Sequence, residues 1–160
     1  MNYQPKLDMA SAGFHQAEAL VRWIHPDLGF ISPEEFIFLA EQSGQITELT
    51  RHILRRVAND AGKWHAAGLN IGVAINLSAL DLTRPELAKE VAEAFSQWQL
   101  PMSSITLEVT ESALMEEPET AFETLRRLRQ LGVTLSVDDF GTGYSSLSQL
   151  RNLPVQELKI

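Results

Sequence analysis

Six polar residues lie at or near the ends of strand-like segments: Glu18, Asn76, Glu108, Asp138, Asp139 and Lys159. Carboxylate and amide oxygens are the hard ligands that Mg²⁺, Mn²⁺ and Ca²⁺ prefer. Several carboxylates gathered in one place repel one another unless cations are present. The recurrence therefore predicts a single divalent-metal site assembled from several strands.

Each of these residues also has a simple structural explanation. Glu18 could be a solvated carboxylate at a strand end, Asn76 could cap a turn, and Lys159 could be an ordinary surface lysine. These explanations are the more common ones for any residue taken singly. The repetition of the pattern along the chain favours a shared site.

The segment from Ser136 to Ser146, SVDDFGTGYSS, is the most specific motif of the sequence. Two adjacent carboxylates at a strand end lead into a loop whose glycines permit tight turns and close approach to a ligand. An Asx-rich turn that caps the next helix is the structural alternative. The upstream Glu108 and Asn76, at matching positions, favour the functional interpretation.

The elements that must position these residues alternate along the chain. Apolar alternation predicts strands at about 3–8, 14–21, 71–77, 104–109, 133–137 and 156–160. Helices are predicted from a Ser32 cap to Gly44, and at about 46–67, 85–98 and 118–131. Such βαβ alternation predicts an α/β fold with a parallel sheet or barrel, and functional groups at the carboxyl ends of the strands.

Composition excludes several classes of function. The chain has 160 residues, 44% of them hydrophobic, which is enough for one domain with a core. It has no cysteine, which rules out disulfides and zinc fingers and fits a cytoplasmic location. A net charge of −8 argues against polymeric nucleic acid as a partner. No apolar stretch reaches the length of a membrane span, so no membrane contact is expected.

Five motifs in order resemble the EAL domain, the cyclic di-GMP phosphodiesterase family: EALVRW from Glu18, NLS from Asn76, EVTE from Glu108, DDFGTGYSSL from Asp138 and LKI up to Ile160. The resemblance covers essentially the whole chain. It implies a TIM-like (β/α) barrel whose first strand runs against the others. It also implies hydrolysis of cyclic di-GMP to linear pGpG with two Mg²⁺ or Mn²⁺ ions, and inhibition by Ca²⁺.

The resemblance also assigns roles to individual residues. The metal ligands would be Glu18, Asn76, Glu108, Asp138 and Asp139. Lys159 would stabilise the attacking hydroxide or the transition state, and Glu18 and Asp138 would share in catalysis as ligands.

The resemblance also assigns residues to the substrate and to the glycine-rich loop. Arg22 would grip a phosphate, while Gln4 and Leu20 would line the nucleotide site. Glu111 would anchor the loop, which is a candidate switch. Arg22 could instead stack on Trp23 for structural reasons.

The family pattern continues past Ile160, so residues 1–160 are expected to be a partial EAL domain with about six of the eight β/α units of a barrel. A later glutamate and glutamine of the family have no counterpart here. Unpaired strand edges would make an isolated fragment unstable or dimeric. The full-length protein is expected to be a homodimer with a sensory or diguanylate cyclase domain upstream, through which it could be membrane-anchored.

Two other classes of function remain open at this point. The chain could be a catalytically inactive cyclic di-GMP receptor or a protein-interaction module, because the missing part carries functional residues. Binding without turnover would identify that class. A different barrel enzyme, such as an enolase-like lyase, would also use carboxylates at strand ends with Mg²⁺, but the DDFGTGYSS loop and Arg22 argue against it.

Overall fold

The computed structural model describes residues 1–116, 118–141 and 154–159. Its strands are β1 (Asn2–Asp8), β2 (Gly13–Leu20), β3 (Trp23–His25), β4 (Gly29–Ile31), β5 (Gly72–Asn76), β6 (Ile105–Thr110), β7 (Thr134–Asp138) and β8 (Glu157–Leu158). Its α-helices are α1 (Pro33–Gln42), α2 (Ile46–Ala66), α3 (Ala79–Leu82), α4 (Leu87–Ser96), α5 (Glu111–Glu116) and α6 (Pro118–Gln130). Within this part of the chain, no helix is both long and apolar enough to cross a bilayer.

Six of these strands form one curled sheet in the order β1-β2-β5-β6-β7-β8. Strand β1 pairs antiparallel with β2, and every later pairing in the sheet is parallel. The helices between the parallel strands are the crossovers that such pairing requires. The prediction of an α/β fold of the incomplete TIM-like barrel type, with a reversed first strand, is confirmed.

Alternation along the strands divides the sheet into an apolar face and a polar face. One face contributes to the core shared with the helices, through Val73, Ile75, Leu107, Val109, Leu135 and Val137. Because successive side chains of a strand point to opposite faces, the residues that alternate with these apolar ones face the barrel interior. Four of the predicted site residues therefore lie on the interior face: Glu18, Asn76, Glu108 and Asp138.

Several local features differ from the sequence predictions. The hairpin β3–β4 and the short helices α3 and α5 were not predicted, because their few residues give too little periodicity to detect. Ser32 does precede α1, but its side chain makes no capping hydrogen bond; its carbonyl accepts the first helical N–H groups instead. The last strand is shorter than predicted, and Ile160 lies outside the described residues.

Tyr3 connects strand β1 to helix α2 through a hydrogen bond and a ring contact. Its hydroxyl donates to Asp60 Oδ2 of α2 at 2.8 Å, and its ring packs edge-on against Trp64 at 4.6 Å between ring centroids. Burial, followed by the hydrogen bond to Asp60, raises the pKa of the Tyr3 hydroxyl. Burial alone would raise the pKa of Asp60, but the Tyr3 and Arg56 hydrogen bonds outweigh it and lower that pKa.

We expect Tyr3→Phe to lower the free energy of unfolding by about 1.5–3 kcal/mol at neutral pH, because it removes one hydrogen bond to a charged carboxylate and keeps the ring contact. The Asp60 pKa is lowered in the folded state from its ordinary value of 3.8, so its stabilisation is present above that pH and is lost as pH falls through the folded pKa. The difference between wild type and variant should therefore shrink on acidification. Urea unfolding across pH measures both effects, and a difference that grows in acid would contradict this account.

Candidate active site at the carboxyl ends of the strands

Strand register places the predicted site residues at one end of the sheet. Asn76 of β5 is the register partner of Glu108 of β6, and Asp138 of β7 is the partner of Thr110, two residues further along β6. Glu18 of β2 lies beside Ala74 of β5. Since parallel strands end at the same edge of a sheet, these side chains meet at the carboxyl end of the barrel.

The ammonium of Lys159 lies where three of these carboxylates converge. Its Nζ is 2.5 Å from Glu108 Oε2, 3.3 Å from Asp138 Oδ2 and 3.5 Å from Glu18 Oε2. The Asn76 side-chain amide donates to Glu18 Oε1 at 2.8 Å. Five of the six strand-end residues identified in the sequence are therefore in one contiguous cluster.

Glu108 is the most deeply placed member of the cluster, with 0% of its side chain exposed. Its second oxygen, Oε1, pairs with the ammonium of Lys6 on β1. Sequence reasoning missed Lys6, although a signal was available: it stands two positions after Gln4 and so shares the strand face of that residue. A buried carboxylate is tolerable because a cation contacts each of its oxygens.

Lys159 is held in its charged form by this environment. Burial alone would lower the pKa of its ammonium, but the hydrogen bond and charge of Glu108, with the charges of Glu18 and Asp138, outweigh burial and raise that pKa. The side chain is therefore a cation throughout the physiological pH range.

The remaining predicted residues lie around the cluster. Asp139 is exposed, with φ at +55°, and its N–H donates to Asp138 Oδ1 at 2.9 Å. Gln4 is the register partner of Glu18.

Leu20 and Arg22 line a cavity of about 240 Å³ that reaches Asn76. Arg22 is exposed and donates to the Val21 carbonyl at 2.9 Å.

Stacking on Trp23 was the structural alternative for Arg22. The Trp23 ring packs edge-on against the ring of Phe36.

Glu111 contacts the start of the glycine-rich loop. Its Oε2 accepts the backbone N–H of Gly141 at 2.8 Å, and the residue is buried. Gly141 has φ at +95°, a conformation that favours glycine. This contact is of the kind that the predicted loop anchor requires. Residues 142–146, the rest of the predicted switch loop, lie outside the described residues.

A second polar network, which sequence reasoning did not identify, supports the turn after Asn76. Ser78 caps α3 and donates to Glu41 Oε1 at 2.5 Å, while the buried Asp81 accepts the Ser78 N–H at 3.1 Å and the Thr50 hydroxyl at 2.8 Å. Burial raises the pKa of Asp81 even though these donors oppose the shift. The spacing Ser-x-x-Asp was the available sequence signal.

The residues present have the donor chemistry of a divalent-metal site. Glu18, Glu108 and Asp138 supply hard oxygens that already surround one cationic nitrogen. Within 1–116, 118–141 and 154–159, however, no three acidic or histidine side chains are placed to share a metal ion as they stand. Binding of a metal ion would therefore require these carboxylates to change position, so that they contact the ion as well as Lys159.

Comparison with known proteins agrees with this geometry. A sequence model of the EAL domain family matches residues 1–160. The cyclic di-GMP phosphodiesterase NbdA of Pseudomonas aeruginosa is 48% identical over all of this chain, which spans 21% of that protein. The cyclic di-GMP phosphodiesterase PA2567 of the same organism is 38% identical over 99% of this chain, which spans 27% of it. The chain thus covers about a quarter or less of these relatives.

A solved structure gives the same result for the fold. The PaMucR phosphodiesterase in complex with c-di-GMP superposes with a TM-score of 0.92 at 40% identity, covering 99% of this chain and 64% of that one.

We expect Lys159→Met to lower the free energy of unfolding in EDTA by about 1–3 kcal/mol, because it removes one of the two cations that contact the buried Glu108. Urea unfolding measures the change. Lys89→Met is the matched control, because the Lys89 side chain is exposed and its ion pair with Glu93 lies at the surface, with 3.6 Å between Nζ and Oε1. Its effect should stay below about 0.5 kcal/mol. Equal effects of the two substitutions would contradict the interpretation.

Proposed function

The chain belongs to the EAL domain family, and we propose that it hydrolyses cyclic di-GMP. The observation that carries the proposal is the convergence of Glu18, Glu108 and Asp138 on one cation at the carboxyl ends of the strands. Catalytic residues of (β/α) barrels lie at this end. Two relatives that match across essentially the whole chain are named cyclic di-GMP phosphodiesterases.

The proposed cofactor is a pair of divalent ions, Mg²⁺ or Mn²⁺. Glu18, Asn76, Glu108, Asp138 and Asp139 would hold them, because these are the oxygen-bearing side chains of the cluster and its rim. When bound, such ions supply Lewis-acid activation of water and charge stabilisation at a phosphate. We expect Ca²⁺, with its longer and looser coordination, to inhibit.

Lys159 has the properties of a group that stabilises developing negative charge. Its ammonium is in contact with the acidic cluster and its raised pKa keeps it protonated. A fixed cation of this kind favours hydroxide over neutral water as the nucleophile, and it stabilises the additional negative charge of the transition state. We propose this role in addition to the balancing of the Glu108 charge.

Substrate contacts would come from the residues beside the cluster. Leu20 and Arg22 share a cavity with Asn76, and Gln4 lies across from Glu18. An exposed guanidinium on such a wall suits a phosphate, because its planar fork matches phosphate oxygens. Leu20 supplies apolar surface against which a guanine base would pack.

The proposed reaction adds one water to one phosphodiester of the ring. The attacking oxygen forms a bond to phosphorus, the bond from phosphorus to the ribose 3′ oxygen breaks, and that oxygen takes up a proton. The product is the linear dinucleotide pGpG.

The test is to incubate the chain with cyclic di-GMP and Mn²⁺ or Mg²⁺, and to separate the products by chromatography. We expect pGpG with either ion, and none with EDTA or with Ca²⁺ alone. Glu18→Gln should lower kcat at least about 100-fold, because it would remove a charged ligand of the divalent ions and with it part of the transition-state stabilisation that they supply. Glu93→Gln is the control, because Glu93 lies on the exposed face of α4 and pairs with Lys89.

Binding of cyclic di-GMP by folded protein with no pGpG under any of these conditions would overturn the proposed activity.

A further inference from the structure

Lys6 is the one member of the cluster to which the sequence motifs give no role. It lies on β1, on the same face as Gln4, and is the register partner of Gln16. Its ammonium reaches Glu108 Oε1 on β6, although three strand-to-strand steps separate β1 from β6 in the sheet. Three steps amount to roughly 14 Å in a flat sheet, so this contact depends on the curl of the barrel.

The two lysines that contact Glu108 differ in what else they touch. Lys159 contacts the carboxylates of Glu18, Glu108 and Asp138 together. Lys6 has only Glu108 as its ion-pair partner among the residues that the structure describes. Lys159 therefore lies at the centre of the acidic cluster, whereas Lys6 lies on the far side of a single carboxylate.

Each lysine also holds a different oxygen of Glu108. Lys6 is at Oε1 and Lys159 is at Oε2. A carboxylate has acceptor capacity on both oxygens, so Glu108 can keep Lys6 at Oε1 while Oε2 faces the other acids. The hydrogen bond from Lys6 thereby fixes the rotation of a carboxyl group whose second oxygen is the one presented to the cluster.

We propose that Lys6 is a positioning residue that orients Glu108 for binding of a divalent cation, an inference that rests on the metal-dependent function proposed above. Outer-shell donors that hold a ligating carboxylate commonly contribute about 10–100-fold to metal affinity. The competing interpretation is that Lys6 only supplies positive charge. In that case its removal would relieve repulsion and tighten cation binding, so the two interpretations predict changes of opposite sign.

The test is calorimetric titration of Mn²⁺ into the full chain without substrate. We expect Lys6→Met, which keeps most of the unbranched side chain and removes the donor, to raise the Kd for Mn²⁺ about 10–100-fold. Lys89→Met, which removes an equivalent charge from the surface of α4, should leave the Kd unchanged. An unchanged or lower Kd for folded Lys6→Met would overturn the proposal.

A double-mutant cycle with Glu108→Gln tests whether Lys6 acts through Glu108. If it does, Lys6→Met should cause no further loss of Mn²⁺ affinity in the Glu108→Gln background. This comparison also serves if Lys6→Met alone fails to fold, because removing both partners of a buried pair is far less damaging than removing one. A further loss in the double variant would overturn the proposal.

These titrations, together with the chromatographic assay for pGpG, distinguish failure of this inference from failure of the proposed function. Wild-type chain that binds Mn²⁺ and forms pGpG, together with an unaffected Lys6→Met, would overturn the role of Lys6 alone. Wild-type chain that binds no Mn²⁺ would overturn both.

Discussion

Burial of the Glu108 side chain is the constraint on which the rest of the site depends. A carboxylate with no exposed surface is costly unless cations and hydrogen bonds replace water. Here the cations come from the two edges of the sheet, Lys6 on β1 and Lys159 directly after β8, while Glu108 lies on the central strand β6. Only a curled sheet brings both edges to one central residue. The electrostatics of the site and the curvature of the barrel are therefore linked.

The backbone around the site is supported by polar contacts from outside the cluster. Ser78 and Asp81 fix the turn that follows Asn76, and Leu77 N–H donates to the Glu108 carbonyl at 2.9 Å. Glu111, three residues after Glu108, holds Gly141 at the start of the loop that follows Asp138 and Asp139. The ends of β5 and β7 are thus held by contacts with a neighbouring strand or a helix. Such support limits the side-chain motion that would otherwise weaken a binding site.

Much of this arrangement could be predicted from the sequence, and the limits have physical causes. Strand periodicity and the carboxyl-end rule were sufficient to place Glu18, Asn76, Glu108, Asp138 and Lys159 together, because parallel strands share an edge. The position of Lys6 on the strand face of Gln4 could be predicted, but its contact with Glu108 could not, because that partner is about a hundred positions away and no local pattern encodes the curl that joins them.

Other misses arose from short elements and from contacts between distant segments. Helix α3 and the hairpin β3–β4 are too short for periodicity to reveal. Sequence periodicity also gave no indication that Glu41 of α1 would support Ser78, because that contact depends on how α1 packs beside the sheet.

Whether these strand-end acids form a divalent-metal site can be measured by anomalous diffraction at the manganese edge, from crystals of the chain grown with Mn²⁺. We expect anomalous density bounded by Glu18, Asn76, Glu108 and Asp138, with Lys159 no longer in contact with all three carboxylates. Density elsewhere, with Lys159 still in contact with Glu18, Glu108 and Asp138, would contradict this expectation.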